Sequence, residues 1–484
     1  MTKKKFFLDQ HGCAKNQVDG EIIITRLLKA GLELCDNADD ADLIIINSCG
    51  FIESAKTESL NSLMQARSAF PDKKILLAGC LAERYADVFK SDLPEADGIF
   101  GNGDLTKIDD VVSSIFENQR PVIKPLQKGV CCGDRERLLN YKGSAFVKIT
   151  EGCNNCCSFC AIPLIRGNLR SRNADEIVEE IKGLLEKGIF EINLIGQDLA
   201  AYGCGKDDDV FLDGKNDFDF LYTDLKAPLI DRAEDGENKN HSALYRLLEK
   251  ISALEGKFWL RLLYIHPDHF NKDILDLMER DHRILPYFDI PFQSGCDQII
   301  HAMNRKGSFS SYVNLIKTIR QKFPQSAIRT TFLTGFPAES DQNHKDSVEF
   351  LKAIQADWSG CFTYSREDDT PAAKMKNQVR AKKSLARKEE LESLQEKITA
   401  DRLQKRCGKD YEVLVEEIIE NNSGSDEGLA LGRAWFQAPE VDGAFVIRYD
   451  RDDKDALSKI QVGNIVKVHA LASSQVDMDG EYLG

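Results

Sequence analysis

No apolar run in the 484-residue sequence approaches the ~18 residues that a membrane-spanning helix needs. The start, Met1-Thr2-Lys3-Lys4-Lys5-Phe6-Phe7-Leu8-Asp9, is basic but lacks the apolar stretch of a secretory signal. A membrane or secreted protein is therefore not expected, and a cytoplasmic one is. Positive charge is also short: 64 Lys and Arg stand against 79 Asp and Glu, a net charge of −15. That deficit argues against a protein that grips nucleic acid by overall charge. Internal repeats and low-complexity tracts are absent. What remains is 42% hydrophobic and 30% charged, enough to build large cores in about three domains at roughly 150 residues each.

The first ~120 residues alternate short apolar strands with helical patterns. Phe6-Phe7-Leu8, Leu43-Ile44-Ile45-Ile46 and Ile75-Leu76-Leu77-Ala78 read as buried strands, and Ile22, Ile23, Leu27 and Leu28 share one helical face. This predicts a doubly wound parallel sheet over residues 1–122. A second series follows, with strands expected at Ala145–Thr150, Ile189–Ile195, Trp259–Ile265, Tyr287–Ile290, Ile328–Leu333 and Cys361–Tyr364. Between the first two lies a helix capped by Asn173 and Glu176 and ended by Gly188. Six such units predict an open (βα)6 barrel over residues 139–378. Residues 206–241, with 11 Asp and Glu against 5 Lys and Arg, read as a surface insertion with no role of its own. A charged helix over Ala381–Gln404 fills the linker 379–406. The tail 407–484, with strands at Tyr411–Val415 and Ile465–Leu471 and turns at Asn421-Asn422-Ser423-Gly424 and Asp442-Gly443, predicts a small OB-like β-barrel.

Fourteen cysteines in a chain with no export signal point to metal or redox chemistry rather than a disulfide framework. Cys153, Cys157 and Cys160 form C-x3-C-x2-C just after the first barrel strand. Three thiolates can hold three irons of a 4Fe–4S cube and leave the fourth open to a small molecule. A zinc knuckle has similar spacings but needs a fourth ligand, which no nearby histidine offers. Cys156 gives a competing register, C-x2-C-x3-C, although the order through Cys157 is the standard one. A second set, Cys13, Cys49 and Cys80, is scattered in sequence, yet each cysteine closely follows one of the first three strands. A parallel sheet delivers such residues to one edge, where a second cluster could sit. Singly, each would be an ordinary buried cysteine.

The loop Gly152–Cys160, with Phe159-Cys160-Ala161-Ile162-Pro163 and Arg166-Gly167-Asn168-Leu169-Arg170-Ser171-Arg172, resembles the radical S-adenosylmethionine (SAM) enzymes, and among them the methylthiotransferases. Gly12-Cys13-Ala14-Lys15-Asn16 and Asn47-Ser48-Cys49-Gly50-Phe51-Ile52 resemble that family's amino-terminal domain. The resemblance covers nearly the whole chain except 206–241. It implies two 4Fe–4S clusters: one on Cys153, Cys157 and Cys160 that binds and reductively cleaves SAM, and an auxiliary one on Cys13, Cys49 and Cys80 used in sulfur insertion. It also implies that barrel strand ends line the SAM pocket, here Gly196, Gln197 and Asp198, then Gln293, then Gly335 and Glu339. The electron donor is not specified. It makes the tail a TRAM domain.

Two branches of the family fit. One modifies an adenosine of transfer RNA, the other the β-carbon of an aspartate in the twelfth protein of the small ribosomal subunit. Ala161-Ile162-Pro163, Leu194-Ile195-Gly196-Gln197-Asp198, Ala201-Tyr202-Gly203 and Ala438-Pro439-Glu440-Val441-Asp442-Gly443 resemble the protein-modifying branch, whereas Gln293-Ser294-Gly295 is closer to the RNA-modifying one. Charge votes independently. From Cys407 to Gly484 there are 16 Asp and Glu against 7 Lys and Arg, a surface that repels phosphate and attracts a basic ribosomal protein. A non-enzymatic iron–sulfur or zinc scaffold is the reading from outside the enzyme class.

Overall fold

The computed structural model describes residues 3–127, 129–133, 135–206, 208, 210, 241–420 and 427–484. Most of the acidic insertion and the expected turn at 421–424 lie outside the described residues. Among those described, no helix is long and apolar enough to cross a membrane.

Six strands, β1 (Lys5–Gln10), β2 (Glu33–Leu34), β3 (Leu43–Ser48), β4 (Lys74–Gly79), β5 (Gly98–Phe100) and β6 (Val122–Ile123), form the first sheet. Its order is β2-β1-β3-β4-β5-β6, and every pairing is parallel. Four helices connect and flank these strands: α1 (Ala14–Lys29), α2 (Glu53–Ala69), α3 (Cys80–Asp92) and α4 (Ile108–Phe116). Burial of β3 along its full length follows from helices on both faces and explains its unbroken apolar run.

The second sheet contains β7 (Ser144–Lys148), then β10 (Glu191–Ile195), β11 (Trp259–Leu262), β12 (Ile284–Asp289), β13 (Ala327–Thr334) and β14 (Trp358–Thr363). All pair in parallel in chain order, with β7 and β14 as open edges, which gives the open six-unit barrel. Between β7 and β10 lie a two-stranded ribbon, β8 (Thr150–Glu151) with β9 (Arg170–Ser171), and the helices α5 (Ile162–Arg166) and α6 (Ala174–Glu186). The expected strand at Tyr287 starts earlier, at Ile284. Pro286 cannot donate to the ladder, and the β11–β12 register slips there, between Leu260↔Ile284 and Leu262↔Phe288.

The tail is a closed five-stranded barrel of β15 (Asp410–Ile419), β16 (Glu427–Ala434), β17 (Phe445–Asp450), β18 (Ile465–Ser473) and β19 (Met478–Tyr482), ordered β15-β16-β17-β19-β18. Sequence reading found only β15 and β18 of these, because β16 and β17 carry glycine, arginine and acidic residues that dilute the apolar alternation.

Side-chain alternation along the barrel strands decides how the three parts assemble. Ala145 and Val147 pack outward with the helices, in one core with Ile177, Leu247 and Phe350. Phe146, Trp259, Leu285 and Tyr287 point the other way, into a core shared with Val18 and Ile22 of α1 and with Phe436 and Phe445 of the tail barrel. The concave face of the open barrel is therefore covered by both flanking parts.

A buried ion cluster pins the tail. Glu191 on β10 accepts from Arg261 Nη2 at 2.8 Å and from Arg433 Nη2 at 2.7 Å, and all three side chains are at most 3% exposed. Burial raises the Glu191 pKa, but Arg433 and then Arg261 outweigh it and hold the carboxyl far below the usual range. A depressed folded-state pKa gives stability that is complete above the unfolded value, about 4.3, and is lost as pH falls through the folded value. Glu191→Ala should cost about 3–5 kcal/mol at pH 7, since it strands the buried Arg261 and leaves Arg433 with Glu416 alone. The deficit relative to wild type should shrink below about pH 4. Thermal unfolding of both proteins at pH 7 and at acid pH checks this, and a loss under about 1 kcal/mol at neutral pH would refute it.

Candidate active site between two cysteine triads

The three N-terminal cysteines meet because the backbone between them has been stripped of bulk. Gly12 (φ +90°) lies so that a Cβ would come 3.0 Å from Cys49 Cβ and 3.2 Å from its Sγ. A Cβ on Gly50 would lie 2.7 Å from the Cys80 carbonyl oxygen. Glycine at both places lets the loops after β1, β3 and β4 close on one another. Asn16 fastens them: its Nδ2 donates to the carbonyls of His11 at 2.8 Å and Asn47 at 3.1 Å, and Cys80 Sγ donates to its Oδ1 at 3.7 Å. This accounts for an asparagine three residues after Cys13. Cys80 begins α3 and also accepts from Asn102 Nδ2 at 3.3 Å and Arg166 Nη2 at 3.2 Å.

The second triad sits in the irregular loop after β8. Cys153 N donates to the Gly167 carbonyl at 3.1 Å, and the N–H groups of Asn155 and Ile162 point at Cys153 Sγ and Cys160 Sγ, each at 3.5 Å. Cys157 Sγ lies 4.0 Å from His266 Nε2. Cys156 stands apart: it is exposed, its φ is +48°, and its carbonyl accepts from Asn304 Nδ2 at 3.0 Å. Its left-handed backbone turns the chain between Cys153 and Cys157, a role the sequence register alone could not assign.

Electrostatics distinguishes the thiols. Burial pushes the Cys160 and Cys80 thiols up to about 12. Cys153 also rises, through burial and then the Asp198 charge, and Cys49 rises through burial. Cys13 goes the other way, because the Lys15 and Arg166 charges outweigh its desolvation. Buried thiols of this kind become thiolates only against strong positive charge, which a bound metal cluster supplies. Among the described residues, no three His, Cys, Asp or Glu side chains converge to hold a single metal ion. A larger iron–sulfur cube accommodates thiols that do not meet at a point.

Between the triads runs a buried charge network. Arg166, at the end of α5, reaches Asp19 of α1 at 2.9 Å and Glu151 of β8 at 2.7 Å as well as Cys80. Lys148 pairs with the same two carboxylates, reaching Glu151 at 2.7 Å. The N-terminal sheet and the barrel thus share charges directly beside Cys80. Lys15 crosses the same boundary, with its Nζ 3.2 Å from the Gly196 carbonyl and 3.6 Å from the centre of the Tyr264 ring. Lys15, Arg166 and Gly196 stand in motifs read from the sequence, but their pairings across the boundary carried no signal, because they span more than 80 residues.

The strand-end residues separate into two groups. Gly196 and Gln197 lie at the gap. Gln197 donates from Nε2 to Glu151 at 3.3 Å, while its buried Oε1 and the nearby Thr150 Oγ1 have no partner. Gln293 adopts φ +69° and is tied through its backbone to Thr331 at 2.7 Å and Leu333 at 2.8 Å. By contrast, Asp198 is bonded within the protein. Its Oδ1 accepts from the N–H groups of Ala200 and His266, each at 3.1 Å, and its Oδ2 from Asn155 at 3.0 Å, with His269 Nδ1 at 2.8 Å. Although burial opposes it, the His269 contact holds this carboxyl far below its usual range. Asp198 thus positions the cluster loop through Asn155. Glu339 is similarly occupied, accepting from Gly335 N at 2.7 Å and from Arg387 Nη1 at 2.6 Å on the helix Ala381–Gln404. Both carboxylates thus also brace the loops around the strand ends, through Asn155 and His269 and through Arg387. Missed in the sequence were His266 and Arg305 beside Cys157; the His266 pKa is lowered to about 3 by burial and then by the Arg305 charge.

An open parallel barrel whose first loop presents C-x3-C-x2-C defines the radical SAM class. Accordingly, residues 147–351 match the Radical SAM superfamily, residues 5–101 match the uncharacterized protein family UPF0004, and residues 407–483 match the TRAM domain. The chain is 49% identical to the ribosomal protein uS12 methylthiotransferase RimO of Treponema denticola, over 98% of this chain and 99% of the relative. It is 36% identical to the protein of the same name from Aquifex aeolicus, over 97% of this chain and 95% of that one. In fold it resembles the radical S-adenosylmethionine methyltransferase TsrM of Kitasatospora setae, solved with cobalamin and a [4Fe-4S] cluster, with TM-score 0.51 and 11% identity over 77% of this chain and 74% of that one. The chain belongs to the RimO family of radical SAM methylthiotransferases, and so is an enzyme of a class that uses a 4Fe–4S cluster and SAM.

Proposed function

We propose that this enzyme methylthiolates the β-carbon of an aspartate in the ribosomal protein uS12, with two 4Fe–4S clusters held by Cys153, Cys157 and Cys160 and by Cys13, Cys49 and Cys80. The observation that carries the reading is the pair of cysteine triads facing one boundary, joined by Arg166, which bonds Cys80 of one part and Glu151 of the other. When bound, the barrel cluster and SAM supply the one-electron chemistry that removes a hydrogen from an unactivated carbon, which no side-chain base could do at neutral pH.

The chain's own residues do the rest. Gln197 Oε1 and Thr150 Oγ1, buried and unpartnered, offer acceptors to the polar part of SAM beside Gly196, and Gln293 borders the same end of the barrel. Gly335, Glu339 and Asp198 hold the surrounding loops. Shared packing of the two parts keeps water from the gap, where a reactive intermediate would otherwise be quenched. The functional parts we assign are 1–122, 139–378, the linker 379–406 and the TRAM domain 407–484. Its excess of acidic residues suits a basic protein substrate in the cytoplasm, and a separate electron donor is required.

The direct test gives reconstituted enzyme SAM, sulfide and a reductant in the presence of both uS12 and bulk transfer RNA, followed by mass spectrometry of each. A methylthio group on one aspartate is the expected product. The same group on adenosine would move the enzyme to the RNA-modifying branch. No product and no 5′-deoxyadenosine would refute catalysis altogether.

The assignment of Cys156 outside the cluster has its own consequence. Cys156→Ala should leave iron and sulfide content unchanged after reconstitution, whereas lost iron would restore the alternative register.

A further inference from the structure

Lys15 is 8% exposed, yet among the described residues no carboxylate lies within ion-pair distance of it. Its ammonium has three donors. One meets the Gly196 carbonyl at 3.2 Å, and the Tyr264 ring lies against it at 3.6 Å. Two N–H groups are thus left in a nearly dry place beside the Cys13 sulfur, where a cation calls for a further anion. The other cations around the gap are already engaged. Arg166 and Lys148 share Asp19 and Glu151, and Arg329 pairs with Asp289 at 3.3 Å and Asp442 at 3.4 Å. Arg305 bonds the carbonyls of Pro291 at 2.6 Å and Phe292 at 3.2 Å and stands against Cys157, within the barrel triad.

Position narrows the choice of anion. Lys15 is two residues from Cys13 on the N-terminal part, but its Nζ touches Gly196 at the end of β10 and Tyr264 beyond β11. It therefore bridges the space through which a substrate carbon must approach both triads. The β-carbon of an aspartate is bonded directly to its carboxylate, so that carboxylate enters the same space with the reacting carbon. Tyr264 is itself fixed, at φ +69° with its N–H on Asp289 Oδ2 at 3.2 Å, so the platform under the ammonium is rigid.

We propose that Lys15 receives the side-chain carboxylate of the substrate aspartate and selects aspartate over its uncharged isostere. The assignment rests on the protein-substrate reading above. It makes Lys15 a substrate-orienting residue that needs no chemistry of its own.

The test uses reconstituted holoenzyme, wild type, Lys15→Gln and Lys15→Arg, with uS12 and with uS12 whose target aspartate is replaced by asparagine. Wild type should bind the aspartate form about tenfold or more tightly over the asparagine form, as one charge-assisted hydrogen bond allows. Lys15→Gln should bind both alike and lose about 10- to 100-fold in kcat/KM for the aspartate form, with Lys15→Arg restoring part of the preference. Iron content and 5′-deoxyadenosine formation without uS12 are measured alongside, because Lys15 adjoins Cys13 and the Gly196 carbonyl. The preference is a ratio within one preparation, so reduced iron loading would scale both arms and leave it readable. An unchanged aspartate preference in Lys15→Gln would overturn the proposal while leaving the substrate reading intact. A wild type that modifies adenosine and not uS12 would overturn both.

Discussion

Cys49→Ala is expected to cleave SAM at close to the wild-type rate and yet transfer no sulfur, while Cys153→Ala loses both activities. The two variants should differ by orders of magnitude in 5′-deoxyadenosine yield, because the two triads belong to separate elements. Cys49 follows β3 of the N-terminal sheet and is anchored by its own N–H to Ser59 Oγ at 3.0 Å, on α2. Cys153 belongs to the loop after β8, held to Gly167 at 3.1 Å. Removing one thiol from either triad leaves the other set of loops and its hydrogen bonds in place. Iron analysis should show each variant losing about half of the wild-type iron, and 5′-deoxyadenosine and methylthio product measured by mass spectrometry separate the two steps. Full methylthiolation by Cys49→Ala would end the two-cluster assignment.

Removal of Arg166 should be the most damaging single change to the scaffold. Its guanidinium holds Asp19, Glu151 and Cys80 at once, and its side chain is 3% exposed. Arg166→Ala leaves two buried carboxylates to share Lys148 alone, a situation that costs about 3–5 kcal/mol. Burial raises the Glu151 pKa, but Arg166 and then Lys148 hold it far below the usual range. Without the arginine that hold weakens, so the stability that the Glu151 carboxylate gives should be smaller and should be fully lost at a higher pH than in wild type. Arg166→Lys should rescue little, because an ammonium is a single point donor and cannot span three partners in a fixed fork. Because the pairings join the N-terminal sheet to the barrel, hydrogen exchange should show α1 and β8 losing protection together, ahead of the tail barrel. A loss below about 1 kcal/mol by denaturant titration, or independent exchange of α1 and β8, would show that the network does not dock the two parts.

The cysteine grouping, the βα alternation and the limits of the helix Ala381–Gln404 are all local or periodic features, and the sequence by itself determined them. Spacing within ten residues defines the loop through Cys153 and Cys160, while the exposed, left-handed Cys156 is told from Cys157 by its backbone. The shared strand-end context of Cys13, Cys49 and Cys80 is enough to place them on one sheet edge, since every parallel strand points the same way. Tertiary structure decided everything that depends on pairing across the chain. Asp198 and Glu339 read as ligand-holding groups in one dimension, and folding adds bonds to Asn155, His269 and Arg387. The tail barrel's covering of the concave sheet face rests on Glu191, Arg261 and Arg433, residues separated by up to 242 positions, which no periodicity connects. Lys15 looks like one more surface lysine beside a cysteine. Only the docking of the barrel strips it of water and leaves it needing an anion, because desolvation belongs to the assembled structure and not to the residue.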